Sequence, residues 1–211
     1  MRNIICFLSV VFCGVCAAPA AVAAPSLCSS VNGNLVANCG FETGSFSGWT
    51  VNPAGYNGIL YGVDGVDAYS GAYGAYLGGY STSATLNQSI TTTPNSPYTI
   101  TFFLAHPDAA IFPYGNSFSI AFGGRSLYSE SNGAFSYTPI TLYGFATSSS
   151  SILQFSATDP NFYFSIDDVS VTAGAPEPAS LALAIPGLIL LSLVCLTRRL
   201  RKVPGVGHNA V

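Results

Sequence analysis

Between Pro25 and Ala175, apolar residues recur at every second position in short runs broken by Gly, Pro, Asn and Ser. Tyr98, Ile100, Phe102 and Leu104 alternate with Thr99 and Thr101, and Phe118, Ile120 and Phe122 with Ser117, Ser119 and Ala121. Leu153, Phe155 and Ala157 alternate with Gln154 and Ser156, and Phe162, Phe164 and Ile166 with Tyr163 and Ser165. A period of two with one apolar side predicts strands that bury a single face. No convincing helical period interrupts them. The region 24–174 is therefore expected to be all-β: two antiparallel sheets packed as a jelly-roll β-sandwich of about eight or more strands. No repeat and no second domain is visible.

The alternation slips once. Phe164 and Ile166 share a face, and continuing the pattern would place Asp168 and Ser170 beside them, with Val169 and Val171 outside. A β-bulge at Asp167-Asp168 would return both valines to the core. Two adjacent carboxylates beside a buried strand then need a cation or hydrogen-bond donors, because an unpaired buried charge is costly. Lys and Arg are almost absent from this region, so a hard cation held by oxygens is the economical partner.

The two ends of the chain read as addresses. Met1-Arg2-Asn3, an apolar run from Ile4 to Ala18 and the small-x-small triplet Ala21-Val22-Ala23 predict a signal peptide over residues 1–23, cleaved after Ala23. The competing reading is an uncleaved anchor, for which the apolar run is short. Near the other end, Pro176-Glu177-Pro178 precedes an uncharged run from Ala179 to Thr197 and the basic cluster Arg198-Arg199-Leu200-Arg201-Lys202. At 1.5 Å per residue this run spans about 28 Å as a helix, close to the hydrocarbon thickness of a bilayer. It predicts one C-terminal transmembrane helix with its basic end in the cytoplasm and the domain before it outside.

This tripartite tail resembles the PEP-CTERM sorting signal of Gram-negative bacteria, with Pro176, Glu177 and Pro178 as its motif and Arg198 and Arg199 opening its basic end. The resemblance covers residues 175–202 and implies an exosortase-type processing enzyme as partner. It also implies an inner-membrane intermediate and release to the cell surface or the exopolysaccharide matrix. Residues 203–211 add a short tail that the family usually lacks. A plain C-terminal anchor is the alternative.

Composition narrows the function. Charged residues make up 7% of the 211-residue chain, against about 25% in ordinary domains. The 13% of aromatics nevertheless supply a core. Arg125 is the one basic residue between the two terminal segments, beside eight carboxylates from Glu42 to Asp168, so a nucleic-acid surface is excluded. Of six cysteines, Cys28 and Cys39 alone lie in the 24–174 region. In an oxidising compartment they are expected to pair and pin the N-terminal segment to the first strand; two free thiols are the alternative. His106 is the single histidine before the sorting tail, so a Cys2His2 zinc site cannot form. No Gly-x-Ser-x-Gly elbow appears, and nothing selects a pair of carboxylates for sugar hydrolysis. No catalytic residue is assigned, and the chain is read as non-enzymatic; an exported hydrolase is the weakest alternative.

A second resemblance lies in the domain itself. Asn34-Leu35-Val36-Ala37-Asn38-Cys39-Gly40-Phe41-Glu42 with Gly48-Trp49, and the closing Phe164-Ser165-Ile166-Asp167-Asp168-Val169-Ser170-Val171, are similar to the opening and end of galactose-binding-like jelly rolls. These include carbohydrate-binding modules and many PEP-CTERM ectodomains. The resemblance implies a structural calcium held by Glu42 and Asp167, with Asp168 adjacent. Separately, residues 55–80 concentrate Tyr56, Tyr61, Tyr69, Tyr73 and Tyr76 among glycines, together with Asp64 and Asp67. Tyrosines of this kind either stack on sugar rings, with nearby carboxylates binding hydroxyls, or line strands and turns half-buried. Trp49 is expected in the core. The reading is an exported surface or exopolysaccharide-matrix protein; the alternative is a carbohydrate-binding module whose polysaccharide sits on the Tyr-rich surface. Intact mass spectrometry of surface-extracted protein should find a chain that begins near Ala24 and lacks the region after Pro178. A full-length C-terminus in that fraction would reduce the tail to an anchor.

Overall fold

A computed structural model describes residues 24–53, 60–80, 82–107, 115–131 and 133–174. The signal segment 1–23, Tyr56, and the tail with Pro176, Glu177, Pro178, Arg198 and Arg199 lie outside the described residues.

Ten strands form two five-stranded sheets. They are β1 (Thr50–Asn52), β2 (Tyr61–Asp64), β3 (Gly74–Leu77), β4 (Ala84–Thr91), β5 (Ser96–His106), β6 (Ser117–Phe122), β7 (Arg125–Ser131), β8 (Phe135–Ala146), β9 (Ser150–Thr158) and β10 (Phe164–Ala173). The first sheet runs β1-β4-β9-β6-β7 and the second β2-β3-β10-β5-β8, with every pairing antiparallel. This is the expected all-β jelly-roll sandwich. The alternating apolar residues face each other across it: Ile100, Phe102 and Leu104 of β5 and Phe164 and Ile166 of β10 meet Phe118, Ile120, Phe122, Leu153 and Phe155 of the other sheet, all buried. Phe102 meets Phe155 edge-on at 5.3 Å, and Phe118 lies 5.2 Å from Phe164, so aromatic contacts tie sheet to sheet. Each such side chain contributes about 1.5–3 kcal/mol on burial. Trp49 joins this core, 5.5 Å from Phe41 and 6.0 Å from Phe155.

The phase slip in β10 is a bulge. Asp167 pairs with Phe103 and Ser170 with Thr101, so two residues of β10 stand against Phe102 alone. Asp168 takes φ of 51°, the left-handed region that Asp tolerates better than most residues. Val169 and Val171 are consequently fully buried.

Three local expectations change. The sequence extended the final strand back to Phe162, but β10 starts at Phe164, and Phe162 and Tyr163 precede it on a surface cleft. The twelve-residue β8 escaped the pattern because Pro139 breaks its middle; Pro139 is tolerated there because β8 is an edge strand. The segment 34–41 is not a strand. It runs alongside β10 through Leu35 N–H to Val171 O and Val169 N–H to Cys39 O, both 2.9 Å.

Cys28 and Cys39 are bonded, and the link joins a 3-10 turn (Leu27–Ser30) to the turn around Asn38–Gly40 rather than to the first strand. The eleven-residue separation closes a loop worth about 3 kcal/mol in the chain-entropy account. Replacing both cysteines by serine should lower the unfolding free energy by about that amount, read from the denaturant midpoint. An unchanged midpoint would show that hydrogen bonds alone hold the segment.

Candidate functional site

The second sheet has an inner face in the core and an outer face carrying Thr99, Thr101, Phe103, Tyr137, Ser165 and Asp167. Ser165, Asp167, Asp168 and Ser170 are all buried even though they lie off the core side of β10. Their cover is the loop from Gly65 to Tyr73, between β2 and β3, together with the N-terminal 3-10 turn.

The bulge makes that cover possible. Asp167 Oδ2 accepts the N–H groups of Tyr69 (2.8 Å) and Ser70 (3.1 Å), and its Oδ1 accepts that of Asp168 (2.6 Å). Asp168 accepts Cys28 N–H at 2.9 Å and the Ser70 hydroxyl at 2.6 Å. Glu42 reaches the far end of the same loop and accepts Ala72 N–H on both oxygens (3.1 and 3.0 Å) and Tyr73 N–H at 3.4 Å. Gly71, at φ of 72°, is needed for this turn, since a Cβ there would enter the Glu42 carboxylate.

The carboxylates expected to hold calcium are therefore brought onto one loop, but not as a cation cage. Each of the six oxygens of Glu42, Asp167 and Asp168 receives at least one N–H or O–H donor. Among the described residues, no group of three or more His, Cys, Asp or Glu side chains is placed to hold a metal ion. As arranged, these three carboxylates act as acceptors for the loop and are not gathered as one set of ligands. The donors that sequence reasoning left as the other possibility are backbone amides of residues 69–73.

The tyrosines of residues 55–80 divide. Tyr61 packs against the core beside Phe46, and Tyr73 lies against Gly44. Tyr69 stacks on Phe103 at 3.7 Å and stands 5.2 Å from Tyr137. Tyr76, on β3, meets Tyr163 at 4.7 Å. Asp64 accepts the N–H groups of Val66 (2.9 Å) and Asp67 (3.1 Å), turning the chain after β2.

Asp67 enters a large cleft. About 740 Å³ in volume, it opens at the end of the outer face, with walls that include Phe135, Tyr137, Phe162 and Tyr163 over Asp67 and Ser165. The Tyr137 hydroxyl donates to the Asp67 carbonyl at 2.5 Å, and the Ser165 hydroxyl donates to Asp67 Oδ1. Gly74 lets the next strand pass, because a Cβ there would collide with that same carbonyl. Burial pushes Asp67 up to about 6, opposed by the Ser165 hydroxyl and reinforced by the charge of Asp64. Burial pushes Asp167 up to about 7, against the pull of the Ser70 amide and with the charge of Asp168 adding to it. Burial, with the charges of Asp167 and Asp67, holds Tyr137 far above its ordinary value, so its hydroxyl remains a neutral donor.

Sequence reasoning found Asp67 and missed the walls. Tyr137 and Phe135 belong to the strand hidden by Pro139, and Phe162 and Tyr163 were assigned to β10. The signal of Phe135 and Tyr137 was present only as aromatics at alternate positions of an edge strand. His106 closes the back of this end. It is fully buried, its Nε2 lies 2.7 Å from Asp159, its Nδ1 lies 2.5 Å from Gly133 O, and its ring stacks on Phe164. With both nitrogens engaged, it has none left to activate a nucleophile.

No family profile matches the chain, and no curated protein matches its sequence. The chain is similar to several solved structures. The TmCBM61 module in complex with β-1,4-galactotriose is 20% identical, over 67% of this chain and 99% of that one, with a TM-score of 0.48. The CBM22-1 xylan-binding domain of Paenibacillus barcinonensis Xyn10C is 16% identical over 65% and 93%, with a TM-score of 0.49. The enzymatically active domain of bacteriophage CBA120 tailspike protein 4 is 15% identical with a TM-score of 0.50; the match takes in 67% of this chain but 22% of the tailspike. At these identities the likeness is one of fold.

The raised carboxylates set a pH dependence. An unfolded aspartate titrates near 3.8, so between about pH 4 and pH 7 the folded chain binds more protons than the unfolded one. Stability therefore falls as pH rises through that window. Tm should be higher near pH 5 than near pH 8, with Asp67→Asn reducing the slope below about pH 6 and Asp167→Asn reducing it across the whole window. A Tm that climbs from acid to neutral pH would sink this assignment.

Proposed function

We propose that this chain is an exported, non-enzymatic surface or matrix protein whose β-sandwich binds polysaccharide in the cleft at the end of its second sheet. The observation that carries the reading is the cleft: about 740 Å³, open, aromatic on its walls and polar at its floor. Sugar rings bury their C–H faces against aromatic side chains and present hydroxyls to acceptors, so a glycan uses both parts of such a surface. Export and sorting rest on residues 1–23 and 175–202, with an exosortase-type enzyme as processing partner, an inner-membrane intermediate and the cell surface or exopolysaccharide matrix as destination.

Affinity electrophoresis in gels containing the producing organism's own exopolysaccharide, against unrelated glucans, tests the reading. The chain should be retarded by its own polysaccharide. Tyr163→Ala and Tyr137→Ala should each weaken binding about tenfold, which corresponds to about 1.4 kcal/mol of lost contact. Surface-localised protein that no glycan retards would instead be a structural matrix component with an empty cleft.

A further inference from the structure

Asp67 holds the least compensated charge among the described residues of the cleft. It is 4% exposed; its Oδ1 accepts the Ser165 hydroxyl, and its Oδ2 is buried with no hydrogen-bond partner. Tyr163 and Asp64 lie close enough to shift its titration, but neither completes a bond to that oxygen. Among the described residues, the cleft walls contain no Lys, Arg or His to balance it, and Asp64 adds a second negative charge nearby. Arg125, the one basic residue between the terminal segments, sits at the start of β7, on the edge of the opposite sheet. A buried carboxylate in this state demands a positive partner, and its field passes into the cleft through low-dielectric walls that screen it poorly.

Accepting the glycan reading above, we propose that the cleft selects an amino sugar: a polysaccharide whose protonated amine rests against the Tyr137 and Tyr163 rings over the Asp67 carboxylate. The walls decide between kinds of cation. A hard metal ion needs six to eight oxygens, whereas this cleft offers ring faces, which attract an organic ammonium through their quadrupoles. One carboxylate among four rings, with the charge of Asp64 behind it, fits a single ammonium borne on a body with apolar faces, which describes a de-N-acetylated hexosamine. Acetylation of that amine would remove the charge and leave Asp67 unpaired.

The experiment is calorimetric titration of the full chain in detergent near neutral pH with three probes. These are glucosamine oligomers, N-acetylglucosamine oligomers of the same length, and oligolysine. Glucosamine oligomers should bind at least tenfold tighter than their acetylated counterparts, and more tightly than oligolysine. Asp67→Asn keeps the shape and an acceptor for Ser165, and should erase the preference. The wild-type chain gives the same answer without a variant: the preference should fade below about pH 6 as Asp67 takes up a proton. The other groups facing Asp67 are Asp64, Tyr76, Tyr137, Tyr163 and, through Tyr137, Asp167. Burial holds the three tyrosines above their ordinary values, so they do not titrate in this range. The sugar amine itself loses its proton around neutral pH, so pH dependence surviving in Asp67→Asn belongs to Asp167 or to that amine, and the acetylated series, which has no amine, separates the two. Equal binding of the two sugar series would overturn the amine preference and leave the glycan reading standing. Binding of oligolysine as tight as the amino sugar would overturn it as charge attraction alone. Failure of both sugars would overturn the amino-sugar proposal, while the glycan reading stands or falls on retardation by the organism's own exopolysaccharide.

Discussion

The bulge at Asp167-Asp168 is the constraint on which the rest of the outer face depends. A regular strand would have pointed Asp168 into the sandwich and Val169 out of it. The extra residue keeps Ile166, Val169 and Val171 in the core and delivers two carboxylates to the opposite side. There they find the backbone amides of Tyr69, Ser70 and Cys28. One irregularity in one strand thus fixes two segments distant in sequence, the 3-10 turn carrying Cys28 and the loop after β2. The disulfide ties the first of these to the turn at Cys39, whose carbonyl accepts Val169 N–H just past the bulge. Covalent link and hydrogen bonds converge on one place.

The same carboxylates explain how a chain with 7% charged residues manages a buried acidic cluster. Backbone N–H groups are charge-assisted donors that need no basic side chain. Loop 65–73 supplies several because it must turn tightly, and a tight turn leaves amides unpaired. Glu42 and Asp167 take them in succession along the loop. Burial still opposes the charged form, which is why Asp167 is pushed up to about 7 although three amides favour its ionisation.

How far the sequence could be read follows from which signals are local. Strands β5, β6 and β9 alternate cleanly because one side of each faces the core, and the bulge showed as a phase slip within five residues. Disulfide pairing followed from having two cysteines and nowhere else to bond. The identity of the partners of Glu42, Asp167 and Asp168 was not local: Tyr69, Ser70, Ala72 and Tyr73 reach them only once β2 and β3 lie beside β10. For the same reason the calcium expectation, taken from the family resemblance and the lack of Lys and Arg, carried no information on which amides these oxygens accept. The cleft was the least legible feature. Asp67 comes from the β2–β3 loop, Tyr137 from an edge strand masked by Pro139, and Tyr163 from the approach to β10. Nothing in their spacing announces that they meet.

Phe and Tyr are nearly equal in number in this chain, 14 and 12, yet the structure treats them differently. The largest fully buried side chains begin with six phenylalanines: Phe41, Phe102, Phe118, Phe122, Phe155 and Phe164. A tyrosine in their place would have to satisfy a hydroxyl in an apolar interior. Tyr98 succeeds because its hydroxyl accepts Thr93 N–H at 2.7 Å at the sandwich's end. The remaining described tyrosines lie at the core's margin or outside it, several of them on the outer face of the second sheet, with ring contacts on one side and water or a cleft on the other. A jelly roll built for structure alone could use aliphatic residues there. Rings with a hydroxyl, gathered around an unpaired aspartate, make the outer face a surface whose chemistry is left incomplete by its own chain.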